Sequence, residues 1–310
     1  MILYHSMQYK AKPFVKWAGG KSNLLGQIDT WLPHDFLGAR EITYVEPFVG
    51  GGAMLFHLLR QYPTIKRVVI NDINKDLIEC YKLIKDTPNS LIDRLSVLEK
   101  EFFHISETSR SDCYYRIRQT YNSRQSDDVE QAALFLFLNR TCFNGLYRVN
   151  GQSQFNVPFG RRSNVRICDR ELLLIDHEIL NQVEMQILCG SYQVVADHIA
   201  DPENTFVYLD PPYLPISVTS YFKQYSSSPF GEPEQRELKS FCDSLSQVGC
   251  RFILSNSDCK MDNGSSFFEQ LYSEYDCHRV FAKRFISAQG NSRGNTSEVL
   301  IRNYIEESLL

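Results

Sequence analysis

Apolar positions along the 310-residue chain fall into two kinds of pattern. Short apolar runs that stop at Gly, Pro, Asn or Asp read as strands: Ile42 to Glu46, Arg67 to Ile70, Phe206 to Leu209, Arg251 to Leu254 and, near the C-terminal end, Glu298 to Tyr304. Apolar residues three and four apart read as helix, with Met54, Leu55 and Leu58 on one face of Ala53 to Arg60, and Leu238, Phe241, Cys242 and Leu245 on another. Strand, glycine loop, helix and strand follow one another from Ile42 to Ile70. Such a β-loop-α-β unit joins parallel strands through a right-handed crossover.

From Asp76 to Leu138 the patterning is helical, with polar interruptions at Ser106 to Ser111 and Asn122 to Ser126; the second ends in a helix cap at Ser126, followed by Asp127 and Asp128. This stretch carries no recognisable chemistry and reads as a helical lobe inserted into an α/β core. Beyond it, Leu146 to Val149 and Gln152 to Phe155 flank Asn150-Gly151, the signature of a hairpin with a two-residue turn.

The composition is that of a globular protein: hydrophobic residues are 43% and charged residues 23%, with 20 Phe and 17 Tyr, which excludes disordered and collagenous chains. The longest apolar run, Ala132 to Leu138, falls far short of the roughly 20 residues a spanning helix needs. Met1 to Lys12 shows no secretory signal, so the expected compartment is the cytoplasm. There are nine cysteines, none in a C-x-x-C pair, and they read as free buried thiols with no metal site. The net charge of −4 argues against a polyanionic partner, yet Asn139 to Arg170 holds six arginines and one acid. That run is either a solvated basic face or a surface for phosphates.

Three segments carry candidate chemistry. After the first strand, Gly50, Gly51 and Gly52 let the backbone approach a ligand, and Asp72 lies about 20 residues on, where an acid can hold ribose hydroxyls. The dinucleotide fingerprint fails, because its last glycine falls on Leu55. Glu46 beside the loop would repel a phosphate and attract a sulfonium or ammonium, so the ligand suggested is a nucleoside with a cationic tail, such as S-adenosylmethionine. The alternative is a tight turn with an unremarkable acid. Lys16 to Ser22 ends like a phosphate-binding loop but has Val15 where that motif needs glycine, leaving a turn with an exposed tryptophan.

The most informative segment is Asp210-Pro211-Pro212-Tyr213 at a strand's carboxyl end, where open α/β sheets bind ligands. An exocyclic amine on an aromatic base is a poor nucleophile until hydrogen bonds draw it toward tetrahedral geometry. Asp210 can accept one amine hydrogen and the Pro211 carbonyl the other, with Pro211 and Pro212 stiffening the backbone and Tyr213 stacking on the base. Methyl transfer is then an in-line displacement at the sulfonium carbon. Ring-carbon methylation of cytosine is disfavoured because no Pro-Cys pair exists, and the seven histidines are scattered with none beside a nucleophile.

Taken in order, Phe14 to Lys21, Val45 to Gly52, Asn71-Asp72, Asn144 to Asn150, Phe155 to Arg161 and Asp210 to Tyr213 resemble the Dam family of adenine-specific DNA methyltransferases, of the alpha motif order and GATC type. The resemblance covers nearly the whole chain. It implies a Rossmann-like methyltransferase sheet formed by residues 1–75 and 166–310, carrying an inserted helical and β-hairpin DNA-recognition domain at 76–165. It further implies that Trp17, Lys21, Glu46, Phe48, Gly50, Asp72 and Asp210 bind S-adenosylmethionine, with Asp210 also at the target amine.

On the DNA side, the resemblance implies that the hairpin enters the major groove, that Arg148 reads a guanine and Pro158 touches a thymine methyl, and that Lys16 and Asn144 support recognition. Arg161 and Arg162 read as phosphate contacts. The partners expected are duplex DNA, no membrane and, for a restriction-system member, an endonuclease of the same specificity; the chain is expected to act as a monomer. Two readings from other classes compete: a methyltransferase of protein glutamine, which usually has Asn in place of Asp210, and a DNA-binding protein without catalysis.

Overall fold

The computed structural model describes residues 10–21, 24–162, 164–214, 230–260, 264–283 and 295–305. Its strands are β1 (Ile42–Glu46), β2 (Ile65–Asp72), β3 (Glu184–Cys189), β4 (Thr205–Leu209), β5 (Arg251–Ser257), β6 (Asp276–Lys283) and β7 (Asn295–Arg302). They form one seven-stranded sheet in the order β3-β2-β1-β4-β5-β7-β6. β2, β1, β4 and β5 are parallel neighbours, and β7 lies antiparallel between β5 and β6. Every residue of β1 and β4 is buried, as central strands of a parallel sheet require. The α/β class and the Rossmann-like sheet expected from the sequence are therefore present.

Register sets where the chemistry falls. Glu46 lies opposite Ile70, Val45 opposite Val207, and Leu209 opposite Leu254. Consequently β1 and β4 deliver their carboxyl ends, at Glu46 and Asp210, to the same end of the parallel strands, and β2 ends at Asp72.

The helices are α1 (Leu25–Asp29), α2 (His34–Ala39), α3 (Ala53–Gln61), α4 (Lys75–Asp86), α5 (Pro88–His104), α6 (Arg110–Ser123), α7 (Asp128–Thr141), α8 (Arg170–Leu180), α9 (Glu232–Gln247) and α10 (Phe267–Leu271). The helical lobe read from Asp76 to Leu138 is thus four helices, α4 to α7. The cap of α7 is Asp127, one residue beyond the expected Ser126, because the Asp127 carboxylate accepts the amide of Glu130 at 2.8 Å.

By contact density the chain forms two compact units. The first takes the chain up to Gly20, Val49–Gln61 and Asn71–Ser191, and contains α3 to α8; the second takes Lys21–Phe48, Tyr62–Ile70 and the chain from Tyr192. All nine cysteines are free and seven are buried. Among the described residues no helix is long and apolar enough to cross a membrane.

The ribbon at residues 146–155 differs from the expected two-residue hairpin. Its strands shrink to one bridge between Val149 and Phe155, and the amide of Ser153 donates to the Asn150 carbonyl at 2.9 Å. Ser153, and not Gly151, takes the left-handed conformation, with φ +59°. Asn150 explains the change: its side-chain oxygen accepts from the amides of Gln152 and Gln154, both at 3.0 Å, which favours a longer, side-chain-capped turn.

Candidate active site

The turn after β1 is held together from inside by Asp72. Its Oδ2 accepts the Gly50 amide at 3.0 Å and its Oδ1 the Asn74 amide at 2.9 Å. Burial pushes this carboxyl above its ordinary pKa, opposed by those backbone donors. The Gly50 carbonyl accepts from the Tyr81 hydroxyl at 3.0 Å. Gly50 has φ +49°, and a Cβ there would stand 2.8 Å from Trp17 Cδ1. The close approach that demands glycine is therefore first of all to the indole. Trp17 is only half-exposed; Tyr147 stacks on it at 5.4 Å with 24° between the planes, and Phe135 lies tilted at 6.3 Å.

The strap leading to Trp17 is fastened by side chains from three helices. Arg60 of α3 donates to the Ala11 carbonyl, the Lys12 amide donates to Asp176 Oδ1 of α8 at 3.1 Å, and Arg140 of α7 donates to the Phe14 carbonyl at 2.7 Å. Asp176 is fully buried, which raises its pKa to about 8.

The turn after β4 is held by side chains. Asp210 Oδ1 lies 2.8 Å from Lys21 Nζ and accepts the Ser255 hydroxyl at 3.0 Å. Lys21 is 4% exposed, and its ammonium also sits 4.5 Å from the centre of the Tyr213 ring. The Tyr213 hydroxyl donates to Glu298 Oε2 at 2.7 Å, so the ring is fixed at both its face and its tip. Gln235 of α9 donates to the Pro212 carbonyl at 3.0 Å and is itself braced by Asn256.

Two acceptors are left. Among the described residues nothing donates to Asp210 Oδ2 or to the Pro211 carbonyl.

Glu46 is buried, with Oε2 accepting from the Tyr44 hydroxyl at 2.7 Å. Phe48 stacks on Tyr192 at 5.2 Å.

The arginine run from Asn139 to Arg170 divides. Arg140 is a half-buried brace, and Arg166 and Arg170 are ion-paired to acids. Arg148, Arg161 and Arg162 are exposed; Arg148 donates to Asn156 Oδ1 at 2.7 Å. Pro158 is exposed, while Lys16 and Asn144 are partly buried. Partial burial, then the charges of Arg162 and Arg140, push the Lys16 ammonium pKa down.

Sequence reading missed several members. Ser255 was legible in principle, since Leu254 pairs with Leu209 and the next residues must face each other. Glu298 and Gln235 gave no local signal. Near the exposed arginines, Arg110 joins Arg161 and Arg162 around an open cleft of about 360 Å³, and Arg118, Gln119, Asn122 and Gln154 line a second of about 600 Å³. Ser22, at the end of the Lys16 to Ser22 segment, and residues 1–9 lie outside the described residues.

Residues 17–286 match the family model of the D12 class N6 adenine-specific DNA methyltransferases. The chain belongs to that family. It is 42% identical to the type II methyltransferase M.MjaIII of Methanocaldococcus jannaschii, over 95% of this chain and all of the relative. Identity to the type II methyltransferase M1.LlaDCHI of Lactococcus lactis subsp. cremoris is 36%, covering 98% of this chain and 99% of that one. To the DNA adenine methylase of Escherichia coli K12 it is 32%, covering 94% and 95%. The protein is thus an adenine-specific DNA methyltransferase, which sets aside the glutamine methyltransferase and the catalytically inert DNA binder.

Proposed function

We propose that this methyltransferase transfers a methyl group from S-adenosylmethionine to the exocyclic N6 of adenine within GATC in duplex DNA. The observation that carries the reading is the asymmetry of Asp210. One oxygen is anchored by Lys21 and Ser255, and the other is left to accept beside the Pro211 carbonyl. An ion-paired carboxylate is an acceptor-only group. With a carbonyl it makes an acceptor pair for the two N–H bonds of an amine, drawing the nitrogen lone pair out of conjugation. Pro211 and Pro212 fix the backbone that presents it.

Taken one by one, the residues named for the donor suit it. A buried carboxylate at Glu46 favours a cationic tail over a phosphate, Asp72 retains lone pairs for ribose hydroxyls beyond the backbone amides it accepts, and Trp17 and Phe48 offer aromatic faces. When bound, the sulfonium supplies an activated methyl group. Lys21 holds Asp210 and caps one face of Tyr213, so a flipped base has the opposite face of that ring to stack on.

On the DNA side, segment 76–165 serves as the recognition domain. Arg148 is the guanine reader, Pro158 the thymine-methyl contact, and Lys16 and Asn144 support them. Arg161, Arg162 and, at the same cleft, Arg110 neutralise phosphates. The enzyme works as a monomer in the cytoplasm, either alone or, as a restriction-system member, beside an endonuclease of the same specificity.

Arg148→Ala is expected to cost about 1–3 kcal/mol of discrimination at one base pair, and Arg161→Ala to weaken binding uniformly with a shallower salt dependence. Methylation-sensitive sequencing of DNA from cells expressing the protein is expected to find N6-methyladenine in GATC. Modification in another context would overturn the specificity, and unmodified DNA the reaction.

A further inference from the structure

The buried amide of Asn139, near the end of α7, closes an apolar run and uses both of its N–H donors and one oxygen lone pair on two segments, the strap at Lys16, far away in sequence, and the turn at Gly145, six residues on. Its Oδ1 accepts the Lys16 amide at 2.9 Å, and its Nδ2 donates to the Lys16 carbonyl at 2.8 Å and to the Gly145 carbonyl at 3.2 Å. Only 2% of the residue is exposed. A flipped amide would set donor against donor and acceptor against acceptor, and aspartate would face two carbonyls without a proton, so asparagine alone fits this set of partners.

The same two segments touch twice more. A Cβ on Gly145 would collide with the Lys16 side chain, which lies directly over it. Next along each segment, Trp17 stacks on Tyr147. The strap that meets the glycine turn through Trp17 and the turn that carries Asn144 and Arg148 are therefore one clamped body, with the indole as the part that reaches Gly50.

We infer that Asn139 is a positioning residue which, together with the Trp17–Tyr147 stack, couples occupancy of the donor pocket to DNA recognition. This rests on the function proposed above. A nucleoside at the glycine turn pins the indole, and a pinned indole orders Tyr147 and its neighbour Arg148 before DNA arrives. The duplex then binds an already ordered turn, and the coupling is reciprocal.

The test is duplex affinity measured with and without S-adenosylhomocysteine, in the wild-type protein and three variants. In the wild type the nucleoside is expected to tighten DNA binding by about tenfold, within the usual range of coupling between sites. Tyr147→Phe keeps the ring and the full factor. Asn139→Ala and Tyr147→Ala reduce it to about twofold or less, while circular dichroism melts show both folded. Should Asn139→Ala fail to fold, the Tyr147 pair still decides, since phenylalanine and alanine must differ. Alanine variants that keep the wild-type factor, or a wild type in which both ligands bind without influencing each other, overturn the inference. A wild type that binds neither ligand instead overturns the proposed function beneath it.

Discussion

The turns that follow β1 and β4 are built in opposite ways. The one after β1 is an affair of the backbone: glycine, a left-handed conformation, and a carboxylate that accepts two main-chain amides. The one after β4 is held by side chains that arrive from elsewhere in the sequence, Lys21, Ser255, Glu298 and Gln235. A backbone-built turn offers shape and diffuse polarity, which suit holding a nucleoside. A side-chain-built turn aims individual atoms, which suits the reacting centre. The difference teaches which substitutions should damage binding and which should damage chemistry.

The division is broken most severely at Asp210. Asp210→Ala removes one of the two acceptors and is expected to lower methyl transfer by at least about 10²–10³-fold, with labelled methyl incorporation as the assay. Near-normal turnover would mean that the amine is held elsewhere.

Next comes the strap on the backbone side. The Asp176 carboxyl titrates near 8 in the fold, against an ordinary value of 3.8. Between those values the folded state holds a proton that the unfolded chain has lost, so stability falls as pH rises through this window. Asp176→Asn keeps an acceptor for the Lys12 amide and removes the titration. Its melting temperature is expected to match the wild type near pH 4 and exceed it progressively up to pH 8, by an amount equivalent to a few kcal/mol. A constant difference across that range would contradict the assignment.

A smaller effect is expected from Ser255→Ala, which loosens the anchored oxygen of Asp210. A hydrogen bond to a charged group contributes about 1.5–3 kcal/mol, so kcat should fall by at least about tenfold while KM for the donor changes little. Smallest is Gly50→Ala, which strains a left-handed position at a cost of roughly 1 kcal/mol and displaces the Trp17 edge. Donor affinity should weaken about fivefold with kcat at saturation nearly unchanged. If these two variants exchanged their effects, the contrast between the turns would be wrong.

Legibility in the sequence follows the same contrast. β1, α3 and the glycine turn could be read because an all-buried strand, an amphipathic helix and glycine each leave a local mark. The Asp-Pro-Pro-Tyr loop could be read for the same reason. Its supports could not, since Glu298 is brought to Tyr213 only by β7 inserting antiparallel beside β5. β3 and β6 escaped because they are edge strands, exposed on one side and rich in polar residues such as Glu184, Gln186, His278 and Arg279. The hairpin was misread at its tip because Asn150 acts through its side chain, overriding the preference that Asn-Gly expresses through its backbone. Asn139 gave no signal at all: an asparagine closing the Ala132 to Leu138 run reads as the helix returning to solvent, whereas the fold buries it.

The central claim is that a carboxylate oxygen and a proline carbonyl together shape the amine for attack. A crystal structure of the protein with S-adenosylhomocysteine and a duplex containing GATC tests it most directly. The flipped adenine is expected to donate its two N6 hydrogens to Asp210 Oδ2 and the Pro211 carbonyl, with Lys21 and Ser255 still on Oδ1. An N6 held by other groups, with Asp210 turned away from the base, would contradict the account.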